Sequence, residues 1–411
     1  MKILLIHQNF PGQFKSMIPA WVAAGHTLAG VYVGSGAAPY PGISKLVGYL
    51  PNQGNAKGMH PWAQEFESKM IRAEGCARAC QALKAEGFEP DVVLAHPGWG
   101  EPLMVKSVFP RAKLVCLMEF FYRARGLDMG FDPEFAVGGL EGEASLMAKN
   151  ANLLLAMEAM DLGVAPTPWQ ASTLPGWLGS KLRVIHEGID TAVCAPNPQA
   201  EISMPDRGAS VRPGDEVLTF VSRNLEPVRG YHVFMRALPE IMRRRPKVKV
   251  FIVGGDGVSY GVRPEGESYR MRYLKEVAGG LDPNRVFFMG QVSYQVFLSL
   301  MQITRCHVYL TYPFVLSWSM LEAMSAGAMV VGSNTGPVSD VIESGRNGML
   351  VDFFDANALA TQVCEVLATP GRFDAMRLAA RETVIRRFDL KTVCLPAYDQ
   401  LLAECHRPTP I

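Results

Sequence analysis

The chain carries almost no excess charge. Forty Lys and Arg stand against 39 Asp and Glu, a formal net charge of +1. That balance argues against a general nucleic-acid binder, whose footprint is a basic surface. Long hydrophobic runs are also missing, and nothing approaches the ~18 consecutive apolar residues of a membrane span. Near the start, MKILLIHQNF offers only Ile3 to Ile6 before His7 and Gln8. That run is too short for a secretion signal and reads as a buried first strand. No short-period repeat is visible. The first strand is followed by HQNFPGQF rather than G-x-G-x-x-G, which disfavours a dinucleotide site and with it a NAD oxidoreductase. Cys76 and Cys80 are four residues apart, but no second pair stands at zinc-like spacing among the eight cysteines. Reduced, buried thiols in a cytosolic protein are the expectation, with no metal site.

What is present is an alternation. The chain of 411 residues is too long for one ordinary core. Its 48% hydrophobic and 19% charged residues are a normal globular balance. KILLIHQ, TLAGVYVG, DVVLAHPG, KLVCLMEFF, LLLAME and LGVAPT read as strands, and FKSMIPAWVAAG as a helix ending at Gly25. The rhythm breaks in a Pro-, Gly- and Ser-rich stretch after VIHEGID and resumes with VLTFVSR, VKVFIVGG, VFFMGQV, CHVYLTYP, AMVVGS and GMLVDF. HVFMRALPEIMRRRP reads as a helix interrupted or bent at Pro239, and WSMLEAMSAG as one that stops at Gly327. Strands separated by helices imply parallel sheets. The fold class is therefore α/β, with two doubly wound parallel-sheet domains facing across a cleft. The expected limits are 1–190, a linker at 191–215, 216–385, and a last helix at 386–411 crossing back to the first domain.

In such sheets ligands bind beyond the carboxyl ends of strands, near helix N-termini. Four segments fall there. SRNLEPVRG (Ser222 to Gly230) follows the first strand of the second domain and sets Arg223 and Arg229 six residues apart, with Pro227 between them. An isolated pair of arginines more often meets surface acids; at a strand's end two guanidiniums suit a diphosphate. YPFVLSWSMLEAMSAG brings Ser317, Ser319 and Glu322 to a helix start. Glu322 there serves either the helix dipole or the hydroxyls of a sugar. In HQNFPGQF, Gly12 either lets a ligand approach the backbone or makes a plain turn. In AHPGWGE, His96 lies at a strand end beside Trp99, and a structural and a functional role are equally open.

These segments resemble the retaining glycosyltransferases of family 4, which have the GT-B fold. The resemblance runs over nearly the whole chain and is most specific at Ser222 to Gly230 and Tyr312 to Asp352. LLIHQNFPGQF and HPGWGE are similar to a bacterial subgroup. It implies two Rossmann-like domains, with a nucleoside-diphosphate sugar (UDP, GDP or ADP) held mainly by the C-terminal one. No cofactor is implied beyond that donor. The family's diphosphate-binding Arg and Lys fall on Arg223 and Arg229, and its ribose-binding Glu on Glu322. His96 matches the cleft histidine near the reacting sugar. Leu316, Ser317 and Trp318 supply loop amides, Gln291 and Val292 lie on the base side, and Gly12 and Gln13 border the diphosphate and acceptor. The family usually carries a sugar-contacting Glu eight residues before Glu322; here that position is Phe314.

The implied reaction moves a sugar from the donor to a hydroxyl of a saccharide, lipid-linked or protein acceptor. It proceeds with retention and without a metal, and domain closure excludes water. Arg223 and Arg229 would stabilise charge on the leaving diphosphate. Rival readings are another GT-B enzyme, such as a sugar-nucleotide epimerase or a phosphorylase, and a non-catalytic nucleotide-sugar-binding protein, to which Phe314 gives weight. Acceptor specificity would lie in variable loops of the N-terminal domain such as Pro39 to Pro61 and Arg123 to Glu141. MRRRPK, Met242 to Lys247, reads as a solvated helix end or as a peripheral contact with an anionic membrane face.

Overall fold

A computed structural model describes residues 1–35, 39–136, 139–204 and 209–406. Residues 137–138 of the segment Arg123 to Glu141, 205–208 of the expected linker and 407–411 of the expected last helix lie outside the described residues. The chain divides into two compact units, Met1–Gly188 with Leu390–Ile411, and Ile189–Asp389.

Unit 1 alternates β1 (Lys2–Ile6), α1 (Ile18–Ala23), β2 (Thr27–Val33), β3 (Ile43–Tyr49), α2 (Gln64–Ala85), β4 (Val92–Ala95), α3 (Val105–Val108), β5 (Lys113–Leu117), α4 (Gly139–Ala159), β6 (Leu162–Ala165), α5 (Pro168–Thr173) and β7 (Leu182–Val184). The seven strands are parallel in the order β3-β2-β1-β4-β5-β6-β7. Successive residues of a strand face opposite sides of a sheet. Accordingly Ile3 and Leu5 enter one core cluster with Trp21 and Leu28, while Leu4 and Ile6 enter another with Cys76 and Leu83. Covered on both faces, the strands can run apolar, as Ile3 to Ile6 and VVLA do.

Unit 2 opens with a short antiparallel ribbon, β8 (Ile202–Met204) and β9 (Ala209–Val211). It continues with β10 (Val217–Asn224), α6 (Tyr231–Arg244), β11 (Lys249–Gly255), α7 (Tyr269–Val277), β12 (Val286–Gly290), α8 (Tyr294–Ile303), β13 (Cys306–Tyr309), α9 (Trp318–Ser325), β14 (Met329–Ser333), α10 (Gly336–Ser339), β15 (Met349–Val351), α11 (Ala356–Ala368) and α12 (Asp374–Phe388). Its six-stranded parallel sheet runs β12-β11-β10-β13-β14-β15. A short π-helical turn, Leu390–Cys394, and α13 (Leu395–His406) return to unit 1, where Tyr398, Leu401 and Leu402 join the Ile3–Leu5 cluster.

Several expectations are corrected. LLLAME lies inside α4 and is not a strand. A short apolar run has no decisive period, and Leu, Ala, Met and Glu are strong helix formers. The segment Pro39 to Pro61 is not all loop, because Ile43–Tyr49 forms edge strand β3, paired to β2. The stretch 191–215 belongs wholly to unit 2 and includes the β8–β9 ribbon. Helix α6 is not interrupted at Pro239, which lies inside it. All eight cysteines are free and buried. Among the described residues no helix is long and apolar enough to cross a membrane.

Both sheets reverse direction of growth in the middle, between β1 and β4 and between β10 and β13. Loops that leave such a point diverge and open a crevice at the carboxyl ends of the strands.

Candidate functional site

In unit 2 the two arginines flank the β10 switch point. Arg223 is in the last residues of β10 and exposed. Among the described residues it has no hydrogen-bond or ion-pair partner. Arg229 lies in the 3-10 turn Pro227–Arg229 and is buried at 7% exposure. Its Nη1 donates to Thr311 Oγ1 at 2.8 Å, to Val315 O at 3.0 Å and to Tyr309 Oη at 3.3 Å. Tyr309 Oη also accepts the backbone N–H of Ser317 at 2.8 Å. One network therefore joins SRNLEPVRG to the loop that enters α9. Gly230 follows with φ +68, where an added Cβ would come within 2.3 Å of Leu310. Glycine satisfies both demands at this turn.

Glu226 escaped the sequence reading. It is buried at 1% exposure, and its carboxylate accepts backbone N–H groups of Ser259, Tyr260 and Gly261 at 3.1–3.3 Å. Those bonds hold the Tyr260 ring 5.3 Å from the Arg229 guanidinium and 4.9 Å from the Phe314 ring. Phe314 is buried beneath the half-exposed Tyr260. The aromatic residue at the position of the expected carboxylate thus packs into a Tyr–Phe–Arg cluster.

Ser317 caps α9, accepting from Ser319 N, and Trp318 is exposed while Leu316 packs on the core. Glu322 Oε1 accepts a hydrogen bond from Tyr294 Oη at 2.9 Å, and Tyr294 Oη stands 3.1 Å from Cys194 Sγ. Burial first, and then the Glu322 charge, push the Tyr294 phenol well above its usual range, so it acts as a donor. Gln291 and Val292 follow β12 at Gly290; the Gln291 amide lies beside Gly255. Gly254 to Asp256, Arg270 and Phe288 to Gly290 line a cavity of about 280 Å³ at the ends of β11 and β12.

In unit 1 His7, Gln13, His96 and Trp99 gather beyond β1 and β4. Gly12 has φ +51, and a Cβ there would meet the His7 ring at 2.4 Å, so the glycine makes room for His7. His7 Nδ1 accepts from Asn9 N at 3.0 Å. Burial, and next the neighbouring His96, lower its pKa to about 4. His96 packs 4.5 Å from Trp99, ring to ring. Its Nδ1 accepts from Gly98 N at 3.1 Å and its Nε2 lies 3.1 Å from Glu119 Oε2. Gln13 Nε2 donates to Glu119 Oε1 at 2.7 Å. Glu119, just past β5, is the second residue the sequence reading missed. Burial pushes its carboxyl up, but the His96 and Gln13 contacts outweigh that and hold it near 2.

The basic cluster at the end of α6 pairs two of its four cations. Arg243 meets Glu240 and Arg245 meets Glu216, both at 2.7 Å.

Two family patterns match the chain, "Glycosyl transferase family 4 group" over residues 26–194 and "Glycosyl transferases group 1" over 215–369. The chain belongs to the family 4 glycosyltransferases of GT-B fold. It is 27% identical over 335 residues to a D-inositol 3-phosphate glycosyltransferase of Nocardioides sp., covering 75% of this chain and 67% of that protein. It is 29% identical over 228 residues to a GDP-mannose-dependent alpha-(1-6)-phosphatidylinositol monomannoside mannosyltransferase of Mycolicibacterium smegmatis. That match covers 51% of this chain and 53% of the relative, so the chain spans about half the length of that protein. Anabaena HepE, solved with UDP-glucose, superposes with TM-score 0.70 at 19% identity over 98% of this chain and 100% of its own.

Proposed function

We propose that this glycosyltransferase takes its sugar from a nucleoside-diphosphate donor and transfers it with retention to a hydroxyl acceptor. The observation that carries the reading is the pairing at the β10–β13 switch point of a free, exposed Arg223 with a buried Arg229. The latter is bonded to the loop that begins α9. A preorganised cation beside helix-start amides suits a diphosphate whose negative charge grows as its bond to the sugar breaks. Glu322, steadied by Tyr294, offers its remaining lone pairs to ribose hydroxyls. The named inositol- and mannoside-directed relatives, and HepE with its UDP-glucose, support a sugar- or polyol-type acceptor and a nucleotide-sugar donor.

In the reaction, the bond between the anomeric carbon and the diphosphate oxygen breaks, and its electron pair leaves with the diphosphate. The acceptor oxygen bonds to the anomeric carbon from the same face. Its proton passes to an oxygen of the leaving diphosphate. Arg223 and Arg229 supply the positive charge for which a metal would otherwise serve.

The test is a panel of UDP-, GDP- and ADP-sugars, scored by product and by the anomeric configuration of the product in proton NMR. Retention with one donor class supports the reading. Inversion would exclude this mechanism. Donor epimerisation without an acceptor would assign a different GT-B activity, and tight donor binding with no turnover would leave a non-catalytic binder.

A further inference from the structure

We propose that Glu119, rather than His96, is the side chain with which unit 1 holds a hydroxyl of the acceptor, and that His96 is a positioning residue for that carboxylate. The proposal rests on the glycosyltransferase reading above and deepens it at the acceptor end.

Gly98 N–H donates to His96 Nδ1 at 3.1 Å. A nitrogen that accepts a hydrogen bond carries no hydrogen, so the neutral ring must carry its proton on Nε2. That proton points to Glu119 Oε2 at 3.1 Å. Both ring nitrogens are therefore used within the protein. Trp99 covers one face at 4.5 Å and His7 meets the ring at 5.6 Å. The His96 side chain is only 9% exposed. It has no polar atom left for a ligand.

Glu119 is the opposite case. Its side chain is 30% exposed. Each oxygen accepts one hydrogen bond, Oε1 from Gln13 and Oε2 from His96. A carboxylate offers about four acceptor positions, so one on each oxygen remains for a ligand. Its backbone is fixed as well: Gln170 Nε2 donates to Glu119 O at 2.8 Å, and Met118 N to Val164 O at 2.7 Å. The turn after β1 through Gln13, the end of β4 through His96 and the end of β5 itself thus converge on one carboxylate beside the switch point of the sheet.

The chemistry follows from that setting. A carboxylate this strongly hydrogen-bonded is a poor base and a good acceptor. It would orient a substrate hydroxyl without taking its proton, which leaves with the diphosphate as described above. A flexible Gln at 119 could keep the shape but not the charge. His96→Gln, by contrast, puts an N–H donor near the place of Nε2.

The experiment combines kinetics, calorimetry and NMR on the full chain. Nucleoside-diphosphate release is followed with the donor panel, using glycerol and myo-inositol as hydroxyl acceptors. Glu119→Gln should raise the acceptor KM roughly tenfold, the worth of one charge-assisted bond, with nucleoside-diphosphate affinity unmoved. His96→Ala should show the same split, His96→Gln should recover most of the loss, and the double variant Glu119→Gln/His96→Ala should be no worse than Glu119→Gln. In ¹⁵N-histidine spectra His96 should be the Nε2–H tautomer. Additive losses, a normal acceptor KM in Glu119→Gln, or a His96 that carries its proton on Nδ1 would overturn the proposal. Absence of nucleoside-diphosphate binding by the unsubstituted protein would instead overturn the function reading, and the tautomer would still decide the role of His96.

Discussion

Arg229 Nη1 donates to Thr311 Oγ1 at 2.8 Å, with the guanidinium buried under the Tyr260 ring. The two arginines of SRNLEPVRG are therefore unlike in their structural weight. Arg229→Ala strips Thr311, Val315 O and Tyr309 of a charged donor and should cost about 1.5–3 kcal/mol of stability. Arg223→Ala removes an exposed side chain that has no partner among the described residues and should stay within about 0.5 kcal/mol. Urea unfolding of both variants checks this. Equal stabilities would mean that the Arg229 network contributes nothing to the fold.

Tyr294 and Glu322 make the second prediction. Tyr294→Phe removes the hydroxyl that holds Glu322 Oε1. Nucleoside-diphosphate affinity should fall roughly threefold to tenfold, the worth of one hydrogen bond to a charged group with partial exposure. In a Glu322→Gln background the same change should matter less, because the two act as a unit. A full, additive loss in the double variant would separate Tyr294 from Glu322.

How much of this was legible in the sequence depends on distance along the chain. The strand–helix alternation, the strand ends and the motifs around Arg223, Arg229 and Glu322 are local patterns, and they lie where such patterns place them. Glu119 is different. In CLMEFF it looks like a lone acid in an apolar strand, and its partner Gln13 is 106 residues away. Only the adjacency of β1, β4 and β5 brings them together. Glu226 is similar: its three amide donors come from a loop more than 30 residues later. The sequence motif around His96 was visible, but which nitrogens were free was not, since that turns on Gly98 and Glu119.

Burial makes stability depend on pH. His7 is lowered to about 4, by burial and then by His96, and His307 to about 3 by burial. For a base with a depressed folded pKa, the unfolded chain binds the proton first. Stability is then full above about pH 6.5 and is lost as pH falls toward 4. Between pH 7 and pH 5 each ring should remove about 2 kcal/mol. Urea midpoints at the two pH values measure these two rings together with Asp128, whose carboxyl burial raises to about 6 and which acts in the opposite sense, so His7→Asn isolates the His7 share by flattening part of the slope. An unchanged slope in His7→Asn would show that this ring need not be neutral in the folded state.

Metal removal separates guanidinium from metal catalysis. If Arg223 and Arg229 stabilise the leaving diphosphate as proposed, dialysis against EDTA should leave turnover within about twofold. Loss of turnover that Mg²⁺ or Mn²⁺ restores would assign the leaving-group charge to a metal.

The most direct test of the central claim is calorimetric titration of UDP, GDP and ADP into the protein and into Arg223→Ala. The account predicts that at least one of the three binds the parent. In Arg223→Ala its affinity should drop roughly tenfold or more, the scale of a lost charge-assisted contact, with the unfolding midpoint unchanged. No binding by any of the three, or equal affinity in parent and variant, would contradict a diphosphate seated on the carboxyl end of β10.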